Sequence, residues 1–233
     1  MRTIALSIYL PNANFRIPNQ GLVQDSLWLP PPMTMYGWFG RVIGVPCMPK
    51  MPAGDVFVNA ILHRYSSTIM ASHNQPKTLS ANSKLTVVKE CVKIKWLIDV
   101  NMTLLYQLDD PLFDAFNKAL DDGNMVSRIG RSANEFEITD AYCDIPIVEA
   151  DTFKGTWVPE RLTVEQNDPL DPAVVDRHLL SMGFEYLSDG KTRTQTRTQM
   201  FDFSHGRGVT AQKIRSFDCR GEFAPLIAVG DKK

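Results

Sequence analysis

The 233-residue chain has no apolar run long enough to cross a bilayer, so a membrane-spanning helix is excluded and a cytoplasmic protein with no membrane partner is expected. Its four cysteines (Cys47, Cys91, Cys143, Cys219) stand far apart with no C-x-x-C pair. That argues against a disulfide framework or a zinc site and predicts buried free thiols in a reducing compartment. The four histidines (His63, His73, His178, His205) are equally scattered and no H-E-x-x-H occurs, so neither a metal nor another cofactor is expected. Neither G-x-x-x-x-G-K-[ST] nor G-x-G-x-x-G nor G-x-S-x-G is present, which removes the P-loop, dinucleotide and nucleophile-elbow chemistries. Repeats and low-complexity tracts are absent. The N-terminal MRTIALSIYLPNANF lacks the apolar block and small-residue cleavage site of a signal peptide and reads as a first strand.

Net charge is also lacking: the formal value is −1, which by itself does not predict a nucleic-acid binder. The distribution says more. Arg64, Lys77, Lys84, Lys89, Lys93 and Lys95 face only Glu90, and a second basic stretch runs from Lys191 to Arg220. Acids gather in 99–122 and 135–189. Such segregation allows a basic surface on a nearly neutral protein, and equally a subunit with one acidic and one basic interface.

The stretch LPPPMTMYGWFGRVIGV (29–45) is the strongest local signal. Prolines hand over to a helix whose apolar residues, Met35, Trp38, Phe39, Val42 and Ile43, recur on one face. Thr34, Gly37 and Arg41 fall opposite, with Thr34 expected to cap the first turn. A helix start with unpaired N–H groups, a hydroxyl, a small residue and an arginine suits a phosphate; an ordinary packing helix is the plainer reading.

Along the chain, 3–10 alternates as a half-buried strand and 55–65 reads as a second. Ser66–Ser83 has no apolar period and reads as an overlong loop. Then 85–108 reads as one long bent strand or two in succession. Asp110 and Pro111 open a second helix with Leu112, Phe113, Phe116, Ala119 and Leu120 as its stripe. A last strand is expected over 136–148. Strand, helix, strand, strand, helix, strand is the split βαβ order, so the expected class is α+β, a ferredoxin-like (RRM-like) domain with one sheet face left open for binding. Residues 1–150 would form it, and 151–233 a smaller β-rich C-terminal region, with a short helix over 173–182.

Further along, Arg128, Gly130 and Arg131 flank the mouth of the last strand, where two guanidiniums and a close backbone suit phosphates. Asn14-Phe15-Arg16-Ile17-Pro18, then Leu29-Pro30-Pro31-Pro32-x-Thr34-x-x-Gly37, then Ile129-Gly130-Arg131-Ser132 resemble the signature of the Cas-five family, CRISPR-associated RAMP-type subunits of type I (Cascade) effector complexes, here I-B-like. The resemblance covers 1–150 well and the rest in outline. It implies a ferredoxin-like RAMP body with a thumb at 66–83 that caps the complex by gripping the 5′ repeat-derived handle of the crRNA. It also implies contacts to the backbone RAMP subunit and the large subunit, and target DNA met only indirectly.

On that resemblance, Arg16, Thr34, Gly37, Arg41, Arg128, Gly130 and Arg131 would hold phosphates. His73, Lys77 and Lys84 of the thumb would meet RNA, and Tyr9 and Tyr36 are stacking candidates. No catalytic residue is expected. The alternatives are a metal-independent endoribonuclease acting on CRISPR precursor RNA, and a purely structural assembly subunit.

Overall fold

In the computed structural model, residues 1–17, 23–45, 55–73, 91–123, 128–129, 135–164, 175–186, 193–204 and 208–229 are described. Alternation at the N-terminus becomes β1 (Arg2–Ala13), with Ile4, Leu6, Ile8 and Leu10 buried on one face. β1 runs antiparallel to β6 (Cys91–Leu108) from Arg2↔Leu108 to Ala13↔Leu97, and to β7 (Glu137–Cys143) on its other side. β6 is in turn paired along its whole length with β5 (Val56–His73). Between β1 and β5 lie three short strands, β2 (Phe15–Arg16), β3 (Val23–Gln24) and β4 (Ser26–Leu27), and helix α1 (Pro32–Val42). β2 pairs with β4, and β3 adds a short parallel contact to β6.

α1 and the second helix, α2 (Asp110–Asp121), both pack on the face of β1 that carries Ile4 and Leu6. Trp38 and Phe39 of α1 meet Phe116 of α2 at ring-centroid distances of 5.8 and 5.1 Å, and Tyr106 of β6 closes the cluster at 5.4 Å from Phe116. The helical stripe predicted for 35–43 is thus the anchor of the core.

The C-terminal region continues with β8 (Ile147–Phe153), β9 (Val158–Pro159), a 3₁₀ turn (Glu160–Leu162), β10 (Asp176–Tyr186), β11 (Arg193–Phe203), β12 (Val209–Cys219), β13 (Glu222–Pro225) and β14 (Ile227–Val229). β8, β12 and β13 form one small sheet; β9, β10 and β11 form another. β14 returns to the edge of the main sheet, giving the order β14-β5-β6-β1-β7. The molecule is therefore mostly antiparallel sheet with two helices among the described residues, of α+β class.

Several expectations are corrected. The sheet face opposite the helices is not left open along its length: Ala5, Ile61 and Leu105 are buried there against Ile145, Phe217 and Ala224 of the C-terminal region. Residues 66–73 are not loop but the distal half of β5, paired with 91–98 as a two-stranded ribbon; 74–90, the rest of the predicted thumb and more, lie outside the described residues. The stretch expected as a helix over 173–182 holds the strand β10, whose Leu180 and Met182 are buried while Leu179 is exposed. The predicted strand 136–148 breaks at Asp144, where φ is +57°, and its halves join different sheets. Thr34 does not cap α1: the helix starts on Pro32 after an extended Pro31, whose carbonyl accepts the Thr34 N–H at 2.8 Å. The residue before α2 is Asp109, and its carboxylate accepts the Asp55 N–H at 2.7 Å instead of capping the helix. Cys143, expected buried, is exposed.

Two features seal the C-terminal layer to the sheet. Asn59, fully buried in β5, donates from Nδ2 to the carbonyls of Trp157 (3.0 Å) and Pro225 (2.7 Å), and its Oδ1 accepts the Thr156 hydroxyl at 2.9 Å. Beside it the chain crosses the edge of β5 at Gly155 (φ +63°), where a Cβ would stand 2.7 Å from the Leu62 carbonyl; only glycine fits. Replacing Asn59 strands two buried carbonyls. Asn59→Ala is accordingly expected to lower unfolding free energy by about 1–3 kcal/mol in urea titrations, and a change within error would show that the seam is held by packing alone.

Candidate nucleic-acid interface

α1 turns its apolar stripe inward, so Thr34, Gly37 and Arg41 remain at its outer side, the first two partly exposed and Arg41 exposed. A Cβ on Gly37 would meet nothing within 4 Å, so a ligand backbone can approach the helix there. Arg41 Nη2 donates to the Arg128 carbonyl at 3.1 Å. This bond places α1 beside the segment after α2, and brings together two arginines 87 positions apart in sequence.

Arg128 is ordered by a short reversal. It bridges to Glu135, and its Nη2 lies 2.7 Å from Glu135 Oε1 in an exposed pair. Ile129 is fully buried, and Phe136 sits 5.5 Å from Trp38. An apolar plug thus fixes the segment while its charged side chains stay at the surface. Gly130 and Arg131 lie outside the described residues, as do Lys77 and Lys84. His73 ends β5, with only its backbone described. Arg16 is exposed in β2, next to the buried Phe15. Tyr36 is corrected as a stacking residue: it is 8% exposed and belongs to the core cluster.

Elsewhere the sheet holds polar groups that sequence spacing does not bring together. On the face away from the helices, the Tyr9 hydroxyl donates to Asp99 at 2.9 Å, and that hydrogen bond pushes the phenol above its ordinary pKa. His63 lies with Nδ1 3.1 Å from Glu222 and Nε2 2.8 Å from the Thr103 hydroxyl. At the root of the ribbon, the Lys95 ammonium lies 4.3 Å from the Trp28 ring centroid and 3.1 Å from Asp25. Trp28 also packs against Tyr65 at 5.0 Å and donates its indole N–H to Asp176. Burial raises the Tyr65 pKa, and burial lowers that of His178 against the opposing pull of Asp176 and Asp25. These partners come from four separate stretches of chain, so no local motif announces them. Among the described residues no group of three or more His, Cys, Asp or Glu side chains is placed to hold a metal ion, and no helix is long and apolar enough to cross a membrane.

The fold has a solved counterpart over its full length. The chain matches a CRISPR protein from Archaeoglobus fulgidus with a TM-score of 0.55 at 11% identity, covering 98% of this chain and all of that one. This chain has the fold of a CRISPR protein. A chain of a CRISPR RNA-guided surveillance complex matches with a TM-score of 0.49 at 12% identity, covering 91% of each chain. A chain of the Type III-B Cmr-beta complex bound to cognate target RNA and AMPPnP matches with a TM-score of 0.42 at 10% identity, covering 91% of this chain and 86% of that one. Only the first likeness is close enough to show a shared fold. No protein-family model matches the chain, and no curated protein matches its sequence.

The division between apolar plug and charged rim is testable by stability. The exposed Arg128–Glu135 pair is worth at most about 1 kcal/mol, so Glu135→Gln is expected to stay within that range. Ile129→Asp buries an unpaired carboxylate and is expected to cost roughly 3–5 kcal/mol in the same denaturant titration. Equal losses for the two would contradict the division.

Proposed function

We propose that this chain is a non-catalytic subunit of a type I CRISPR effector complex that grips and caps the 5′ repeat-derived handle of the crRNA. The observation that carries the reading is the full-length fold likeness to a CRISPR protein. The sheet order β5-β6-β1-β7, antiparallel throughout with both helices on one face, is what a ferredoxin-like RAMP body requires. The Asn-Phe-Arg, Pro-Pro-Pro-x-Thr-x-x-Gly and Gly-Arg-Ser segments agree with it.

Handle binding would divide between positioning and readout. Arg41 and Arg128, joined through the Arg128 carbonyl, offer guanidiniums to consecutive phosphates. Arg16 adds a third cation from β2. Gly37 lets a sugar–phosphate backbone lie close to α1, whose first turn carries no side-chain cap. Arg131 and the ribbon residues His73, Lys77 and Lys84 would extend the track, with splayed bases read beyond it. The partners are the backbone and large subunits of a cytoplasmic ribonucleoprotein, and target DNA is met only through them.

The absence of catalysis is part of the proposal. Both His63 ring nitrogens are engaged, by Glu222 and Thr103, and the Tyr9 phenol is held protonated by Asp99. The proposal therefore assigns neither a general-base role toward a 2′-hydroxyl.

Equilibrium binding to a repeat-derived handle RNA tests both parts. The three arginines Arg16, Arg41 and Arg128 alone give log K a slope of roughly −2 against log salt, and the further cations of the track are expected to steepen it. Arg41→Ala is expected to weaken binding by about 5–10-fold and flatten that slope by about 0.7. Gly37→Leu is expected to weaken RNA binding without lowering the melting temperature, since the space beside it is empty. Salt-independent binding, or wild-type affinity in both variants, contradicts the assignment. The RNA is expected to remain intact in chelator; a defined cut leaving a 2′,3′-cyclic end contradicts the non-catalytic reading.

A further inference from the structure

Of the arginines Arg16, Arg41 and Arg128, only Arg128 enters an ion pair among the described residues. Its partner is Glu135. Arg128 donates to that carboxylate from Nη2 at 2.7 Å and from Nε at 3.3 Å, and both bonds end on Oε1. The contact therefore lacks the parallel two-oxygen geometry of the strongest arginine–carboxylate pairs. It is also open to solvent, with side-chain exposures of 50% and 65%.

The backbone sets this pair up. Arg128 and Glu135 face each other across an antiparallel bridge, and the next residue of each, Ile129 and Phe136, is buried in the core. Alternation then turns the arginine and the carboxylate outward together. The segment is held by its two apolar side chains, while an exposed ion pair changes an equilibrium constant by about fivefold at most. What Glu135 does alter is the charge. Arg41 is bonded to the Arg128 carbonyl, so two cations stand side by side, and one carboxylate offsets half of their charge. A phosphodiester offers the Arg128 guanidinium what Glu135 already offers, an anionic oxygen at Nε and Nη2. That edge of the guanidinium can grip only one of them with both donors.

We propose that Glu135 is a built-in competitor of the RNA phosphate at Arg128: it occupies the guanidinium in the RNA-free chain and is displaced when the phosphate arrives. The inference rests on the handle-binding reading and adds a regulation of that site. Glu135 keeps Arg128 from being an open anion site on the free chain and subtracts up to about fivefold from RNA affinity, the most that breaking an exposed pair costs. A single weak anion does not displace it, whereas a backbone that also reaches Arg41 and Arg16 does.

Equilibrium binding of the full chain to two probes, a repeat-derived handle RNA and an unrelated single strand of equal length, tests it. Glu135→Gln is expected to bind the handle RNA about 3–5-fold more tightly at low salt, and to gain less at high salt where charge is screened. In the Arg128→Ala background the same replacement is expected to gain less than about 1.5-fold, because no phosphate then sits at that position. Glu149→Gln removes an equal charge from exposed β8 and is expected to change affinity by less than about 1.5-fold. Unchanged affinity in Glu135→Gln, a gain that persists without Arg128, or an equal gain from Glu149→Gln overturns the competitor role and leaves the handle reading standing. Equal affinity for the two RNAs, with the Glu135→Gln gain intact and dependent on Arg128, overturns the handle reading and supports the competition. Binding of neither RNA overturns both.

Discussion

The structure depends on the register between β5 and β6, held from Val56↔Leu108 to His73↔Cys91. β6 is shared. Its C-terminal half is buried between β5 and β1, supplying Val100, Met102, Leu104, Tyr106 and Leu108 to the core, while its N-terminal half carries the ribbon. The segment after β1 is tied back to the same strand: Asn14 donates to the Lys95 carbonyl at 2.9 Å, and Lys95 pairs with Asp25 at 3.1 Å. The Trp157 indole then donates to the Pro30 carbonyl at 3.1 Å, fixing the chain just before α1 begins. A one-residue slip of β6 would turn its apolar residues to the wrong face and loosen all of these ties together.

From that register follows a division of the sheet's two sides. The helix side is filled by interlocking aromatic rings. On the opposite side Asn59, Ile61 and Leu105 are covered by the C-terminal strands, while Ser7, Tyr9, His63 and Thr103 continue that face as a polar strip. Chemistry is thereby pushed to the margins: the outer side of α1, the Arg128 reversal and the ribbon. On the proposed reading RNA is held at these margins.

Much of this was legible in the sequence wherever burial is periodic. β1 shows strict alternation, and α1 and α2 show 3.6-residue stripes, so their inward residues could be named. The distal half of β5 could not be seen this way. Ser66-Ser67-Thr68-Ile69-Met70 has no buried face to create a period, and its strand character comes from backbone pairing with β6. The stretch 173–182 misled because a few apolar residues near a turn fit either period. The cover on the back face was invisible, since Phe217 and Ala224 meet residues more than a hundred positions away. At the site, the outward placement of Thr34, Gly37 and Arg41 was readable from the helical stripe. The bond from Arg41 to Arg128 was not, and Tyr36 turned inward because its position falls on the edge of that stripe.

The central claim is that the margins around α1 hold the repeat-derived end of a guide RNA. Its most direct test is to express the chain together with a transcribed repeat array, the ribonuclease that processes that array and the backbone subunit, purify on this chain, and sequence the bound RNA. The account predicts one RNA population sharing a single 5′ end within the repeat, depleted when Arg41 and Arg128 are both replaced by alanine. RNA with scattered 5′ ends, or a repeat-derived population unaffected by the double replacement, would contradict it.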